Sequence, residues 1–211
     1  MADRYGLTDK VGSLKEQVSK ARGKTITILG MEGVGSVLAE ALCRNGYNLR
    51  IIDKGRVYRE ELQGQSLFIE EDVNKFKAKQ AKKRLEAINP EVKIKAFHEE
   101  LSEDTNYLLD SDLVLDCTNN KDVSLIVHEY CKLQEFPVIY CGTEGENAEL
   151  AIQQDKDVTS KLKDYNVEEN GLFVGTVHMA SSVVIALAIK ILAGEKVNDH
   201  YKVDSWKLKV E

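Results

Sequence analysis

The sequence predicts an α/β fold in which a mostly parallel sheet carries helices on both faces and ends in antiparallel strands. As far as residue 141, short continuous apolar runs alternate with amphipathic stretches, as in parallel strands joined by helices. Beyond that point residues 148–153 and 201–210 alternate in polarity, which is typical of antiparallel strands. No repeat or linker interrupts the 211 residues, so we predict a single domain over residues 1–211.

Each element is predicted from its own apolar pattern and from the residues that stop it. Helix 72–88 ends before Asn89-Pro90, because the position before a proline disfavours helix. Residues 54–70 are polar and irregular, and residues 154–172 are charged and predicted to be mobile. The predicted helices are 9–21, 34–46, 72–88, 103–109, 120–133 and 174–193, and the predicted strands are 24–30, 48–53, 92–97, 112–116, 137–141, 148–153 and a closing pair within 201–210.

A glycine turn joins the first predicted strand to the helix at 34–46. Gly30, Gly33 and Gly35 allow a sharp turn and close approach of the backbone to a phosphate. The helix that follows presents free N–H groups at its start, and Asp53 at the end of the second strand is placed to accept hydrogen bonds from ribose hydroxyls. This order predicts a nucleotide-binding βαβ unit, and with it a Rossmann-like sheet; the alternative is a tight turn without a ligand.

The spacing of the glycines bears on which nucleotide is bound. The turn reads G-x-x-G-x-G, whereas the dinucleotide fingerprint is G-x-G-x-x-G and needs a glycine where Glu32 stands. A carboxylate at that position would crowd and repel a pyrophosphate. An NAD-linked oxidoreductase is therefore the least favoured function.

Composition narrows the classes of partner and compartment. The formal net charge of −6 and a pI near 5.4 argue against nucleic acid or an anionic membrane as the main partner. We expect no apolar run to span a bilayer, because Ser181, Ser182 and Lys190 interrupt the segment 179–193. The four cysteines are dispersed without a C-x-x-C pair, so we expect no structural metal site and a reduced, cytoplasmic location.

Several stretches together resemble the ThiF/MoeB/HesA adenylyltransferases, which share their fold with ubiquitin-activating enzymes. The resemblance implies binding of Mg-ATP and adenylation of a carboxylate, usually the C-terminal glycine of a ubiquitin-like or sulfur-carrier protein. It also implies a homodimer, or a heterodimer with a paralogue. The matching stretches are LGMEGVGS (29–36), IIDKGRVYREELQGQSLF (51–68), EDVNKFKAKQAKKRLEAINPEVKI (71–94), SDLVLDCTNN (111–120) and GTVHMASSVVIALAIKILAG (175–194).

The resemblance carries over to individual positions. It makes Lys77, which matches the lysine that reaches the phosphates, and Asn119 the candidate catalytic residues. Asp116 matches the acid before the family's T-D-N signature. The candidate cofactor-binding residues are Gly30, Gly33, Gly35, Asp53, Gln65, Lys77 and Thr118.

Other positions depart from the family pattern. Glu61 replaces an asparagine, Gly64 a phosphate-binding arginine and Asn119 the aspartate that holds magnesium, so we expect a weakened Mg²⁺ site. In the amino-terminal R-Y-x-R-Q signature, Leu7 stands where an arginine reaches the partner subunit's ATP. The zinc cysteines are absent, and so is a catalytic cysteine within 154–172. Each missing transition-state donor costs about 3–4 kcal/mol in related settings.

Two functions remain open from the sequence. One is an ATP-dependent adenylyltransferase acting on a carrier protein or a small-molecule acid. The other is a catalytically degenerate member that binds nucleotide or regulates an active subunit. The position of Lys77 is open as well, because KFKAKQAKKR carries six basic residues and such a run is usually a solvated helix face.

Overall fold

The computed structural model describes residues 4–211, which form one eight-stranded sheet in the order β3-β2-β1-β4-β5-β6-β7-β8. The first five strands pair in parallel and the last three join antiparallel, which confirms the predicted fold class. The predicted single domain also includes residues 1–3, which lie outside the described residues. The strands are β1 Thr25–Leu29, β2 Asn48–Ile52, β3 Ile94–Phe97, β4 Leu113–Asp116, β5 Val138–Glu144, β6 Asn147–Gln153, β7 His200–Asp204 and β8 Lys209–Val210.

Helices cover both faces of this sheet. Short 3-10 helices lie at Thr8–Lys10, Arg59–Gly64, Glu70–Asp72, Asn106–Leu109 and Thr159–Lys161. The α-helices are α1 Lys15–Ala21, α2 Gly33–Arg44, α3 Lys77–Ile88, α4 Lys121–Leu133, α5 Val167–Asn170 and α6 Val174–Leu192.

Successive residues of the central strands enter two separate apolar clusters. Ile28 packs into a cluster with α2, α3 and α6, whereas its neighbour Leu29 packs into a cluster on the opposite face with α4. Ile51 and Ile52 divide in the same way. Both faces of the parallel strands are therefore buried, which explains why their sequences read as continuous apolar runs rather than alternating ones.

Three predicted helices are shorter in the structure. The helix predicted at 9–21 is a 3-10 turn followed by α1, with Gly12 and Ser13 between them. The helix predicted at 72–88 begins only at Lys77, because Asn74 adopts a φ of +66° and Asp72 folds back to accept hydrogen bonds from Arg84. The helix predicted at 103–109 is limited to the 3-10 turn Asn106–Leu109, because the side chain of Thr105 folds back to accept a hydrogen bond from the N–H of Ser102.

Helix α6 qualifies by length and apolar composition as a membrane span, so the length argument from the sequence is wrong for this segment. In the fold, however, Val177, Val184 and Leu187 are buried in the cluster shared with α2. A core helix of a globular protein passes the same length test, and these contacts are those of a core helix.

Candidate functional site

The order of the strands along the sheet reverses between β1 and β4, and this creates a crevice at the carboxyl ends of the strands. β1 leads into α2 on one face, while β4 leads into α4 on the other. Ligands of open α/β sheets bind at such a switch point, because the two connections diverge and leave a gap between them.

The glycine turn after β1 is held by close backbone packing. Gly30 has a φ of +86°, and a Cβ there would lie 2.9 Å from the carbonyl oxygen of Cys117. A Cβ on Gly35 would lie 1.9 Å from the carbonyl oxygen of Gly30. The first N–H bonded within α2 is that of Ser36, which donates to Glu32. The N–H groups of Gly33, Val34 and Gly35 therefore have no partner within the helix.

Asp53 ties the end of β2 to this turn. Its Oδ2 accepts a hydrogen bond from the N–H of Met31 at 2.7 Å, and its Oδ1 accepts one from the N–H of Gly55 at 2.6 Å. A carboxylate oxygen has a second lone-pair direction, so each can accept a further hydrogen bond. Asp53 is thus oriented by the backbone and still able to accept from a ribose.

A pocket of about 200 Å³ opens between the turn, β2 and α4. Leu29, Ile52, Leu101 and Val123 supply an apolar wall to it. The pocket thus combines an apolar surface with an acid that can accept from hydroxyl groups and a buried lysine that can donate to an anion. The predicted site residues brought together in this pocket are Gly30, Asp53, Lys77 and Thr118.

The other predicted site residues lie elsewhere. Gly33 and Gln65 line a neighbouring groove, and Gly35 is buried inside the turn. Asn119 has a φ of +57°, and its side-chain oxygen accepts a hydrogen bond from the N–H of Thr143 at 3.0 Å. Its side chain is therefore engaged with β5 and is not among the residues that line the pocket.

Magnesium finds no ready ligand set at this turn. The described residues contain no group of three or more His, Cys, Asp and Glu side chains that could hold a metal ion. Asn119 is bonded to β5, and both carboxylate oxygens of Asp116 accept hydrogen bonds from the protein. The described residues therefore offer no preformed set of three ligands, and the weakened Mg²⁺ site stays a prediction.

Lys77 is the first residue of α3 and is almost fully buried. Its side chain is 3% exposed, so the alternative of a solvated helix face is wrong for this lysine. The Nζ lies 3.0 Å from Oε2 of Glu61 and 3.8 Å from Oε1 of Glu32. In the sequence, Glu32 departs from the dinucleotide fingerprint and Glu61 from the family pattern. Their pairing with Lys77 joins segments that are distant along the chain, so no local sequence pattern indicates it.

Glu32 has a raised pKa in this arrangement. Desolvation by the pocket walls raises the pKa of its carboxyl, Lys77 opposes that rise, and the nearby carboxylates of Glu61, Asp53 and Glu168 add to it. Lys77 therefore lies between two carboxylates, with Glu61 the nearer at 3.0 Å and Glu32 at 3.8 Å.

Asp116 organises the turn between β4 and α4. It is 2% exposed and accepts hydrogen bonds from the N–H and hydroxyl of Thr118, at 3.0 and 2.7 Å, and from the hydroxyl of Ser124 at 2.6 Å. Desolvation raises the pKa of this carboxyl, and the three hydrogen bonds oppose the rise. Asp116 thereby sets the position of Thr118 in the pocket.

Replacing Asp116 with alanine is expected to lower the free energy of unfolding by about 3 kcal/mol, because buried donors of Thr118 and Ser124 lose their acceptor. Asp116→Asn should be milder, since an amide oxygen can still accept from Thr118.

A raised native pKa means that ionisation of Asp116 opposes folding above its unfolded pKa of about 3.9. Urea unfolding at a series of pH values should therefore show the wild type losing stability relative to Asp116→Asn as the pH rises above about 3.9. A difference in free energy of unfolding that stays constant with pH would contradict this expectation.

Comparisons with known proteins agree with the fold. The model of the ThiF family matches residues 10–211. The chain is 33% identical over 136 residues to the adenylyltransferase and sulfurtransferase UBA4 of Lodderomyces elongisporus, covering 62% of this chain and 30% of that protein. It is 27% identical over 130 residues to the sulfur carrier protein ThiS adenylyltransferase of Escherichia coli, covering 60% of this chain and 52% of that protein.

A third curated relative and two solved structures extend the comparison. The molybdopterin-synthase adenylyltransferase of Haemophilus influenzae is 30% identical over 123 residues, covering 57% of this chain and 51% of that protein. The chain thus matches about half or less of the length of these relatives. Among solved structures, PaaA superposes with a TM-score of 0.81 at 20% identity, covering 99% of this chain and 71% of that one. Escherichia coli MccB with ATP gives 0.81 at 18% identity, covering 99% and 70%.

Proposed function

The chain belongs to the ThiF family, and from this membership we propose that it binds ATP in the pocket and activates a carboxylate as its acyl-adenylate. A carboxylate oxygen would attack the α-phosphorus, the bond to the β-phosphate oxygen would break, and pyrophosphate would leave. The observation that carries the proposal is the convergence of Gly30, Asp53, Lys77 and Thr118 on one pocket. The names of the relatives as adenylyltransferases support it.

The residues of the pocket divide the work of binding. The apolar wall that includes Leu29 and Ile52 would receive the base, and Asp53 would accept from the ribose hydroxyls. The free N–H groups at the start of α2 and the Nζ of Lys77 would face the phosphates. Lys77 can do so only by exchanging Glu61 and Glu32 for phosphate oxygens.

The position that carries a phosphate-binding arginine in the family is Gly64 in this chain, and the side chain of Leu172 packs beside it. A Cβ on Gly64 would lie 3.3 Å from Cδ2 of Leu172, and a Cβ on Gly33 would lie 3.1 Å from the same atom. Leu172 therefore fills the space beside the glycine turn. The negative charge of the phosphates would be offset by Lys77 and by the free N–H groups at the start of α2.

We propose that the acceptor is the C-terminal glycine of a ubiquitin-like or sulfur-carrier protein, or a small-molecule acid. The relatives' names favour the carrier protein. A homodimer or a heterodimer with a paralogue, acting in the cytoplasm, belongs to the same proposal.

A second candidate function is that of a nucleotide-binding or regulatory subunit without turnover, paired with an active paralogue. The contacts of Lys77 with two carboxylates favour it, since they weaken the positive charge available to a leaving pyrophosphate. Gly64 in place of an arginine also lowers the positive charge available to a leaving pyrophosphate.

Nucleotide binding and pyrophosphate exchange measured together separate the two functions. Calorimetry with ATP, AMP and adenosine tests the pocket, and exchange of labelled pyrophosphate into ATP tests adenylation with each candidate acceptor. Exchange that depends on an acceptor supports the enzyme. ATP binding without exchange for any acceptor supports the silent subunit, and failure to bind any of the three ligands would overturn both.

Glu61→Gln is expected to tighten ATP binding about fivefold, because it removes a negative charge 3.0 Å from the Nζ of Lys77. The amide keeps the shape of the side chain and an acceptor for Gln65. Adenosine affinity should change little, and Glu103→Gln, an equal charge change at an exposed position, is the control. Unchanged or weaker ATP binding in Glu61→Gln would show that Glu61 does not compete with the phosphates.

A further inference from the structure

An acidic groove of about 680 Å³ adjoins the nucleotide pocket. It lies between the 3-10 helix Arg59–Gly64, the glycine turn and α5, and the two cavities share Glu32. Of the described residues that line this groove, none is basic. Its carboxylates belong to Glu32, Glu60, Glu61 and Glu168.

These carboxylates differ in whether a positive charge lies close to them. Glu61 and Glu32 face the buried Nζ of Lys77 from the groove side. Glu60 and Glu168 are exposed and form no ion pair with any residue between 4 and 211. One buried lysine cannot offset four carboxylates, so the groove presents a negative field to whatever enters it.

A second observation in the groove wall is independent of charge. Gln65 is 3% exposed, and its Nε2 donates to Oε2 of Glu61 at 3.1 Å. Its Oε1 is buried and has no hydrogen-bond partner among the described residues. A buried acceptor without a donor costs free energy, and a ligand with N–H groups would remove that cost.

We propose that the acidic groove binds an alkylammonium group carried by the molecule whose carboxylate is activated. An ammonium group offers three N–H donors and one positive charge, which suits the exposed carboxylates of Glu60 and Glu168. Contact with the buried Oε1 of Gln65 requires that side chain to turn towards the groove. A phosphate or a second carboxylate would meet the same charges as repulsion. The identity of the ligand as the acceptor rests on the proposed function, whereas the cation site itself does not.

The shared wall at Glu32 connects the two sites. A molecule with its ammonium in the groove would present its other end towards Lys77 and the nucleotide pocket. An acceptor chain with a lysine near its carboxylate and a free small-molecule amine acid both satisfy this chemistry.

The test is titration calorimetry of the full chain without nucleotide. The probes are 6-aminohexanoate as the free amine acid and a short lysine peptide. The controls are the same two molecules acetylated on the alkyl amine, which for the peptide is the lysine Nε, so that they lack the ammonium charge. We expect binding of at least one amine, weakened about fivefold or more in a Glu60→Gln, Glu168→Gln double variant. Glu103→Gln should bind like the wild type. Gln65→Met, which removes the acceptor without changing the charge, should also weaken binding.

Each result decides between outcomes. Binding of the lysine peptide alone identifies a chain acceptor, and binding of the free amine acid identifies a small molecule. No amine binding, equal binding of the acetylated forms, or an undiminished affinity in the double variant would overturn the proposal. Amine binding by a protein that fails to bind ATP or AMP would support the cation site while overturning the proposed adenylation. Thermal unfolding of each variant shows whether it is folded. Because Gln65→Met and the double variant change different residues of the groove, either variant tests the proposal if the other fails to fold.

Discussion

Gly35→Ala is expected to lower the free energy of unfolding by about 3 kcal/mol or more and to abolish nucleotide binding. The new Cβ would lie 1.9 Å from the carbonyl oxygen of Gly30, closer than any real contact. That oxygen belongs to the backbone, so it cannot rotate away as a side chain could. Either α2 or the turn would have to move, and the turn is the edge of the nucleotide pocket.

Gly12→Ala is the matched control for this substitution. A Cβ on Gly12 would meet nothing within 4 Å, and no positive φ restricts that position. Urea unfolding and ATP calorimetry on both variants check the prediction. Gly35→Ala with the stability of Gly12→Ala and normal ATP affinity would mean that the turn tolerates a Cβ and that its glycine is dispensable.

Lys77→Met is expected to weaken ATP binding at least about tenfold while leaving adenosine binding nearly unchanged. A charge-assisted hydrogen bond to a phosphate contributes about 1.5–3 kcal/mol, which corresponds to roughly tenfold to a hundredfold in affinity. The base and ribose contacts lie at the apolar wall and Asp53, which the substitution does not touch. Calorimetry with ATP and adenosine measures the two effects separately.

Lys83→Met on the same helix is the control for Lys77→Met, because Lys83 is exposed and forms no ion pair with any described residue. Removing Lys77 also leaves Glu61 and Glu32 facing each other, so unfolding is measured alongside binding. Equal losses for ATP and adenosine would indicate general damage to the pocket and contradict a phosphate contact. Unchanged ATP affinity would remove Lys77 from the site.

Part of the candidate site could be predicted from the sequence. Gly30, Asp53, Lys77 and Thr118 were predicted as binding residues and do meet in one pocket. Asn119, the other predicted catalytic residue, has a φ of +57° and accepts a hydrogen bond from the N–H of Thr143 in β5, and it is not among the residues that line the pocket. The start of α3 was also misplaced, since the burial of Asp72 against Arg84 is a contact that periodicity does not contain.

The sequence by itself determined the order of strands and helices, the glycine turn and the acid at Asp53. These depend on apolar period and on residues adjacent in the chain, so local patterns are sufficient to predict them. Only the tertiary structure decided that Lys77 is buried and paired with Glu61 and Glu32, and that Glu60 and Glu168 share a groove with Gln65. Those relations join segments distant along the chain, and the distances and burial that set their energies exist only once the sheet has brought the segments together.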